Sequence, residues 1–133
     1  MAFQFSAAAR NAALDAIESA IGPAPTLTLL SGPVPESCEA VDNGVLLASV
    51  LCPPDWLAPA AAGQKVLAGT WQDLSADAVG VAAHFRIVQG AICHVQGTVT
   101  ATNSGGDMTL DNVSLATGQQ VTITAFTLTA GGA

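Results

Sequence analysis

Charge is what this sequence has least of. Only 10% of its 133 residues are charged, against about a quarter in an ordinary soluble domain. Cations are rarest: Arg10, Lys65 and Arg86 stand against ten acids, and the net charge is −7. Phosphate backbones are neutralised by clustered Lys and Arg, so direct nucleic-acid binding is not expected. Anionic membrane surfaces are disfavoured for the same reason. Aromatic residues make up 5% of the chain and there is no Tyr. That leaves few rings for a ligand groove or a base-stacking platform. No apolar run approaches the roughly 20 residues that span a bilayer.

Cysteine is sparse and poorly spaced for chemistry. Cys38, Cys52 and Cys93 form neither a CxxC nor a zinc pattern. Each reads as a small buried hydrophobe, and a Cys38–Cys52 bridge would be unusual in a cytoplasmic product. There is no GxSxG elbow, GxGxxG fingerprint or P-loop. Two acid pairs, Asp73 with Asp77 and Asp107 with Asp111, lack the ligand density of a calcium loop and read as turn residues. His84 and His94 fall on adjacent strands beside Arg86, which repels a cation, so they read as exposed sheet histidines. No catalytic residue, cofactor or metal is expected.

What the chain has in plenty is small and branched apolar residues. Half of it is hydrophobic, mostly Ala, Val, Leu and Ile, which suits tight sheet packing. So little charge on so apolar a chain suggests a surface partly covered by copies of itself or by a larger partner. The alternative is solvation by the many Thr, Ser, Asn and Gln of the second half. The length gives one domain, residues 1–133, with a helix over 6–22 and a β-sandwich over 26–129. The N-terminus lacks a basic n-region, and Arg10, Asp15 and Glu18 interrupt any apolar core, so it does not read as a signal peptide. Synthesis in the cytoplasm follows.

Ser6 reads as an N-cap to the Ala-rich run Ala7–Ile21, which ends at Gly22-Pro23. Leu14, Ile17 and Ile21 share one face, so this is an amphipathic helix that must dock. Phe3 and Phe5 alternate ahead of it, either as a short strand or as a contact to a neighbouring subunit. Helical periodicity then disappears. Thr26–Leu30, residues 45–51 and residues 65–71 read as strands. Residues 52–64 form a Pro/Ala-rich connection carrying Trp56 and Leu57. Long loops often do the binding, so this pair is either an exposed anchor or a lid on the core.

The clearest hairpin follows. Val81, Ala83, Phe85 and Ile87 alternate onto one face, with His84 and Arg86 on the other. Opposed residues share a side of the sheet. A two-residue loop at Gln89-Gly90 would mix the faces, whereas an odd-length or bulged loop pairs Phe85 with Val95, Ile87 with Cys93 and Arg86 with His94. Residues 108–115 and 120–129 are the last strands. In the final one Val121 and Ile123 share one face and Phe126 and Leu128 the other, which predicts a bulge near Ala125. The expected fold is mostly β: a small β-sandwich or jelly roll of about seven to eight strands with one N-terminal amphipathic helix.

The two ends of the chain carry a family resemblance. FSAAARNAALDAIESAI at the start resembles the Ala-rich opening helix of small tailed-bacteriophage virion proteins. The second half is also similar, with SADA leading into a strand that holds Phe85-Arg86, and LDNVSLATGQQVTIT closing the chain. Residues 31–70 match more loosely. The resemblance implies a jelly-roll-like capsid cement (decoration) protein on the capsid exterior of the virion. Its partner would be the major capsid protein, and it would be a homo-oligomer, dimer or trimer. It carries no catalytic residues over. Other readings are a tail or head–tail connector component and a carbohydrate-binding or adhesion module. Phe3, Phe5, Trp56 and Leu57 are the candidate interface.

Overall fold

The computed structural model describes residues 3–102, 104–110 and 112–131. Helix α1 (Ala7–Ile21) has the expected bounds. Ser6 Oγ accepts from the Ala9 amide at 3.1 Å, satisfying one of the first turn's orphan donors. Gly22, at φ 90, closes the helix by donating its N–H to the Glu18 carbonyl. Leu14 and Ile21 are buried, whereas Ile17 stays 40% exposed. The apolar face is therefore used only in part.

The helix docks on its own chain. Lys65 is 2% exposed, and its ammonium sits 2.6 Å from Asp15 and 2.8 Å from Glu18 of the helix. A buried ammonium persists only when paired. Burial pushes Lys65 down, but the hydrogen bonds and charges of the two carboxylates outweigh it and hold the group above its ordinary value. Asn11 Oδ1 accepts from the Gly63 amide at 2.8 Å. Arg10 lies against Gly63, where a Cβ would fall 2.0 Å from the guanidinium.

Ten strands follow among the described residues: β1 (Thr26–Leu30), β2 (Leu46–Leu51), β3 (Gln64–Val66), β4 (Gln72–Asp73), β5 (Gly80–Val81), β6 (His84–Gln89), β7 (Ile92–Ala101), β8 (Met108–Leu110), β9 (Ser114–Leu115) and β10 (Val121–Thr129). The main sheet runs β2-β1-β6-β7-β8-β10-β3, with β4 also on β10, while β5 and β9 form a separate pair. Its β2 edge is stitched back to the β4 segment. The Ser49 amide donates to Asp73 Oδ2 at 2.9 Å, and the Asp77 amide donates to the Leu47 carbonyl at 2.7 Å. The sheet thus nearly closes on itself, and an edge strand that would otherwise offer unpaired groups is covered. The result is a small, barrel-like β-sandwich with an N-terminal helix.

Several strands differ from the sequence reading. Of residues 65–71 only Lys65 and Val66 belong to a strand, β3, and Leu67 adds an isolated bridge to Leu57. Residues 108–115 divide into β8 and β9, which belong to different sheets. The pair β7/β8 is parallel, although only residues 102–107 lie between them. So short a return is feasible because Met108 re-enters beside Val99, two residues back from the end of β7. It is also held tightly: a Cβ on Gly106 would come within 2.7 Å of Thr100 Oγ1, which accepts the Gly106 amide. In β10 the register shifts between Ile123 and Ala125, the bulge that the switch of apolar face required.

The β6–β7 hairpin is bulged, as expected, but its pairing is displaced. Phe85 faces Gly97, Arg86 faces Gln96 and Ile87 faces Val95, with the shift between Ile87 and Val88. Gly90, at φ 64, makes the turn with Ala91, and His94 becomes the extra residue of the bulge. Gly97 accounts for the register. A Cβ there would sit 2.9 Å from the Phe85 ring, so the ring needs a glycine opposite it. The inner face collects Leu27, Leu29, Val50, Ile87, Leu110 and Ile123 around four aromatic rings. Trp56 and Trp71 lie 5.8 Å apart, Trp71 and Phe126 5.5 Å, and Phe85 meets Phe126 edge-on at 5.6 Å.

Candidate functional site

Two of the four candidate interface residues are in the core. Trp56 is 0% and Leu57 1% exposed. The 52–64 connection is not a free loop, because the Ala58 amide donates to Val66 O at 2.8 Å and the Ala68 amide to Trp56 O at 2.9 Å. The Trp56 indole N–H donates to the Gly22 carbonyl at 3.1 Å. With so few aromatics in the chain, the barrel uses this one to fill its centre. Phe3 and Phe5 are different: they are 77% and 55% exposed and belong to no strand. Arg10 Nε of the helix donates to the Phe5 carbonyl at 3.3 Å.

Other exposed apolar residues were not anticipated. Val41, Val45, Leu51, Leu74, Val79, Val81 and Ile92 each expose more than half of their surface. Val81 is a correction, since alternation placed it on the core face with Phe85 and Ile87. The chain leaves strand geometry at Ala82-Ala83 between β5 and β6, so the phase changes and Ala82 is buried instead. Of the seven, Val45, Leu51 and Val81 stand in runs read as strands, where an apolar residue is assigned to the core by default.

The outer face of β1, β6 and β7 carries a buried polar cluster that the sequence reading had placed in solvent. Residues 31–45 fold back over it, pinched at their base by Ser31 N–H to Val45 O at 3.1 Å and Val45 N–H to Ser31 Oγ at 3.1 Å. His84 is 0% exposed. Its Nδ1 lies 2.8 Å from the Gly32 carbonyl and its Nε2 2.6 Å from Asp42 Oδ2. Both ring nitrogens therefore face oxygen acceptors. Arg86 reaches the carbonyls of Ser37, Cys38 and Ala40 at 3.1, 2.8 and 3.1 Å, and its Nε donates to Gln96 Oε1 at 3.1 Å. Gln96 in turn donates to the Pro35 carbonyl at 2.8 Å. The expected exposed histidine and arginine are instead the fasteners of a loop.

Asp42 completes the cluster. Burial pushes its carboxyl up, but hydrogen bonds from His84 and the Gly44 amide, with the charges of His84 and Arg86, hold it below its ordinary value of 3.8. The Lys65 hydrogen bond does the same for Asp15, against burial. A depressed folded value contributes stability above the unfolded value, which is lost as pH falls through the folded one. The thermal midpoint is therefore expected to fall as pH drops below about 4, followed by circular dichroism. Asp42→Asn should flatten that acid limb; an unchanged limb would remove Asp42 from the account. Gly44 is fixed by the same cluster, since a Cβ there would fall 2.2 Å from the Ser31 carbonyl oxygen.

Two further acids bond nearby backbone. Asp73 caps Ser49 and Ser75 amides, and Asp107 Oδ2 accepts from the amide and hydroxyl of Thr98. Asp111 lies outside the described residues. A cleft of about 600 Å³ opens between β7, β8 and β10, floored by Phe85, Val95, Phe126 and Leu128. Asp107 is the charged residue on its wall, and that carboxylate is already engaged by Thr98. Among the described residues no group of three or more His, Cys, Asp or Glu could hold a metal. No helix there is long and apolar enough to cross a membrane. No family model, curated protein or solved structure matches the chain. Fold and surface together define a class: a small barrel-like β protein that shows apolar side chains outward and keeps its polar cluster sealed.

Proposed function

We propose that this chain is a structural component of a tailed-bacteriophage virion, a capsid cement protein bound to the outer surface of the major capsid protein as a homo-oligomer. The observation that carries the reading is the set of exposed apolar side chains, Phe3 and Phe5 with seven aliphatics, on a body with 10% charge. Such a surface gains by being covered. Cementing needs modest buried area at many symmetry-related junctions rather than one deep pocket. The acidity suits a surface turned away from packaged DNA. A carbohydrate-binding module is less well supported, because Trp56 and Trp71 are both buried and cannot stack on a sugar.

Quantitative mass spectrometry of purified parent particles tests the proposal. Copies of this chain per major capsid protein are expected near one or a simple fraction of one. A handful per particle would move the chain to the tail or connector. Absence from particles would sink the virion reading altogether.

A further inference from the structure

We propose that Cys38 and Cys93 are a disulfide-forming pair whose closure locks the 31–45 loop onto β7. The bulge at His94 sets this up. It pairs Cys93 with Val88, turning the thiol to the face that carries Arg86 rather than to the core. The loop crosses that same face, and Arg86 holds it there by the Cys38 carbonyl itself, at 2.8 Å. Cys93 Sγ donates to the Val95 carbonyl at 3.6 Å, Cys38 and Arg86 both bear on its titration, and both cysteines are half-buried and free. Cys52 is excluded on geometry: it is 1% exposed and belongs to the inner core. The Cys38–Cys52 bridge considered from sequence is therefore replaced.

The chemistry is thiol–disulfide exchange with a small disulfide such as oxidised glutathione. The Cys38 thiolate attacks one sulfur of the oxidant, releasing one equivalent of the small thiol and leaving a mixed disulfide. Cys93 then loses its proton to water, attacks the Cys38 sulfur and expels the second thiol. Two protein thiols are oxidised and one small disulfide is reduced. Burial and the adjacent Cys38 thiol push Cys93 up to about 11, with Arg86 opposing. The second step is accordingly the slow one, faster at alkaline pH. The bridge closes a ring of about 55 residues, so its effect on the unfolded chain is large.

The test treats the folded full-length chain with oxidised glutathione, blocks residual thiols, and digests it without reduction. Cleavage after Arg10, Lys65 and Arg86 places Cys38 and Cys93 on different peptides, and cleavage at Asp42 separates Cys38 from Cys52. A Cys38–Cys93 linked peptide is expected, with Cys52 blocked as a free thiol and a thermal midpoint raised on the order of 10 °C. Cys38→Ser should abolish both the link and the rise. Glutathione left on either cysteine, a bridge involving Cys52, or equal linkage in chain unfolded with guanidinium would each overturn the assignment. A bridge without a rise in midpoint would overturn the locking role.

Discussion

Trp56→Ala is expected to destabilise the protein by about 3–5 kcal/mol, the range for removing a fully buried large aromatic. The side chain is 0% exposed, meets Trp71 at 5.8 Å and donates to the Gly22 carbonyl. Its loss opens a cavity where helix, connection and sheet meet, and strands a carbonyl that had a partner. Trp56→Phe separates the two effects by keeping most of the ring while losing the N–H. Phe3→Ala provides the contrast. Its side chain is 77% exposed, so truncation should change stability by no more than about 0.5 kcal/mol. Urea unfolding with an unchanged slope reads both. Near-equal values for the two residues would return Trp56 to the surface.

The choice left open at Trp56, exposed anchor or lid on the core, shows where sequence pattern stops. Elements governed by local rules were legible: the Ser6 cap, the Gly22 stop, β1, and the bulge forced by the Val121/Phe126 switch of face. Elements governed by distant partners were not. Pro53, Pro54 and the alanines around Trp56 resemble a mobile loop, yet bonds to Val66 and Gly22 hold it as core wall. The β6–β7 register turned on how much room the Phe85 ring needs over Gly97, which alternation cannot express. The role of residues 31–45 as a cover depends on His84 and Arg86, some fifty positions later. Period-2 alternation says that those two share a face. It does not say that the face is buried.

The same misreading hid the use of the cations. All three are committed within the chain: Arg10 to the Phe5 and Ala62 carbonyls, Lys65 to Asp15 and Glu18, and Arg86 to the loop. The scarcity of positive charge is thus sharper at the surface than in the composition. An acidic, apolar exterior favours partners that bring their own cations and apolar contacts. It disfavours close approach of like chains except where Phe3, Phe5 or the exposed aliphatics meet.

Arg86→Met follows from that commitment and is expected to cost about 3–5 kcal/mol, the range for breaking a buried charge network by removing one partner. Methionine can fill the volume of the stem, so packing is roughly conserved. What it cannot supply is the donor set: the carbonyls of Ser37, Cys38 and Ala40 and the Gln96 amide oxygen lose their bonds together. Asp42, 3.9 Å from the guanidinium, loses a neighbouring charge while still facing His84. Arg86→Lys should recover little, because an ammonium has no fork to bridge Gln96 and the loop at once. The damage should also be local before it is global. A protease specific for Glu should cut at Glu36 and Glu39 at least about tenfold faster in Arg86→Met, as the loop opens without the barrel. Amide exchange at Leu27 and Phe85 should still require global unfolding. Unchanged cleavage with normal stability would mean that the loop is held by its own turns, and that His84 with Asp42, rather than Arg86, fastens the cover.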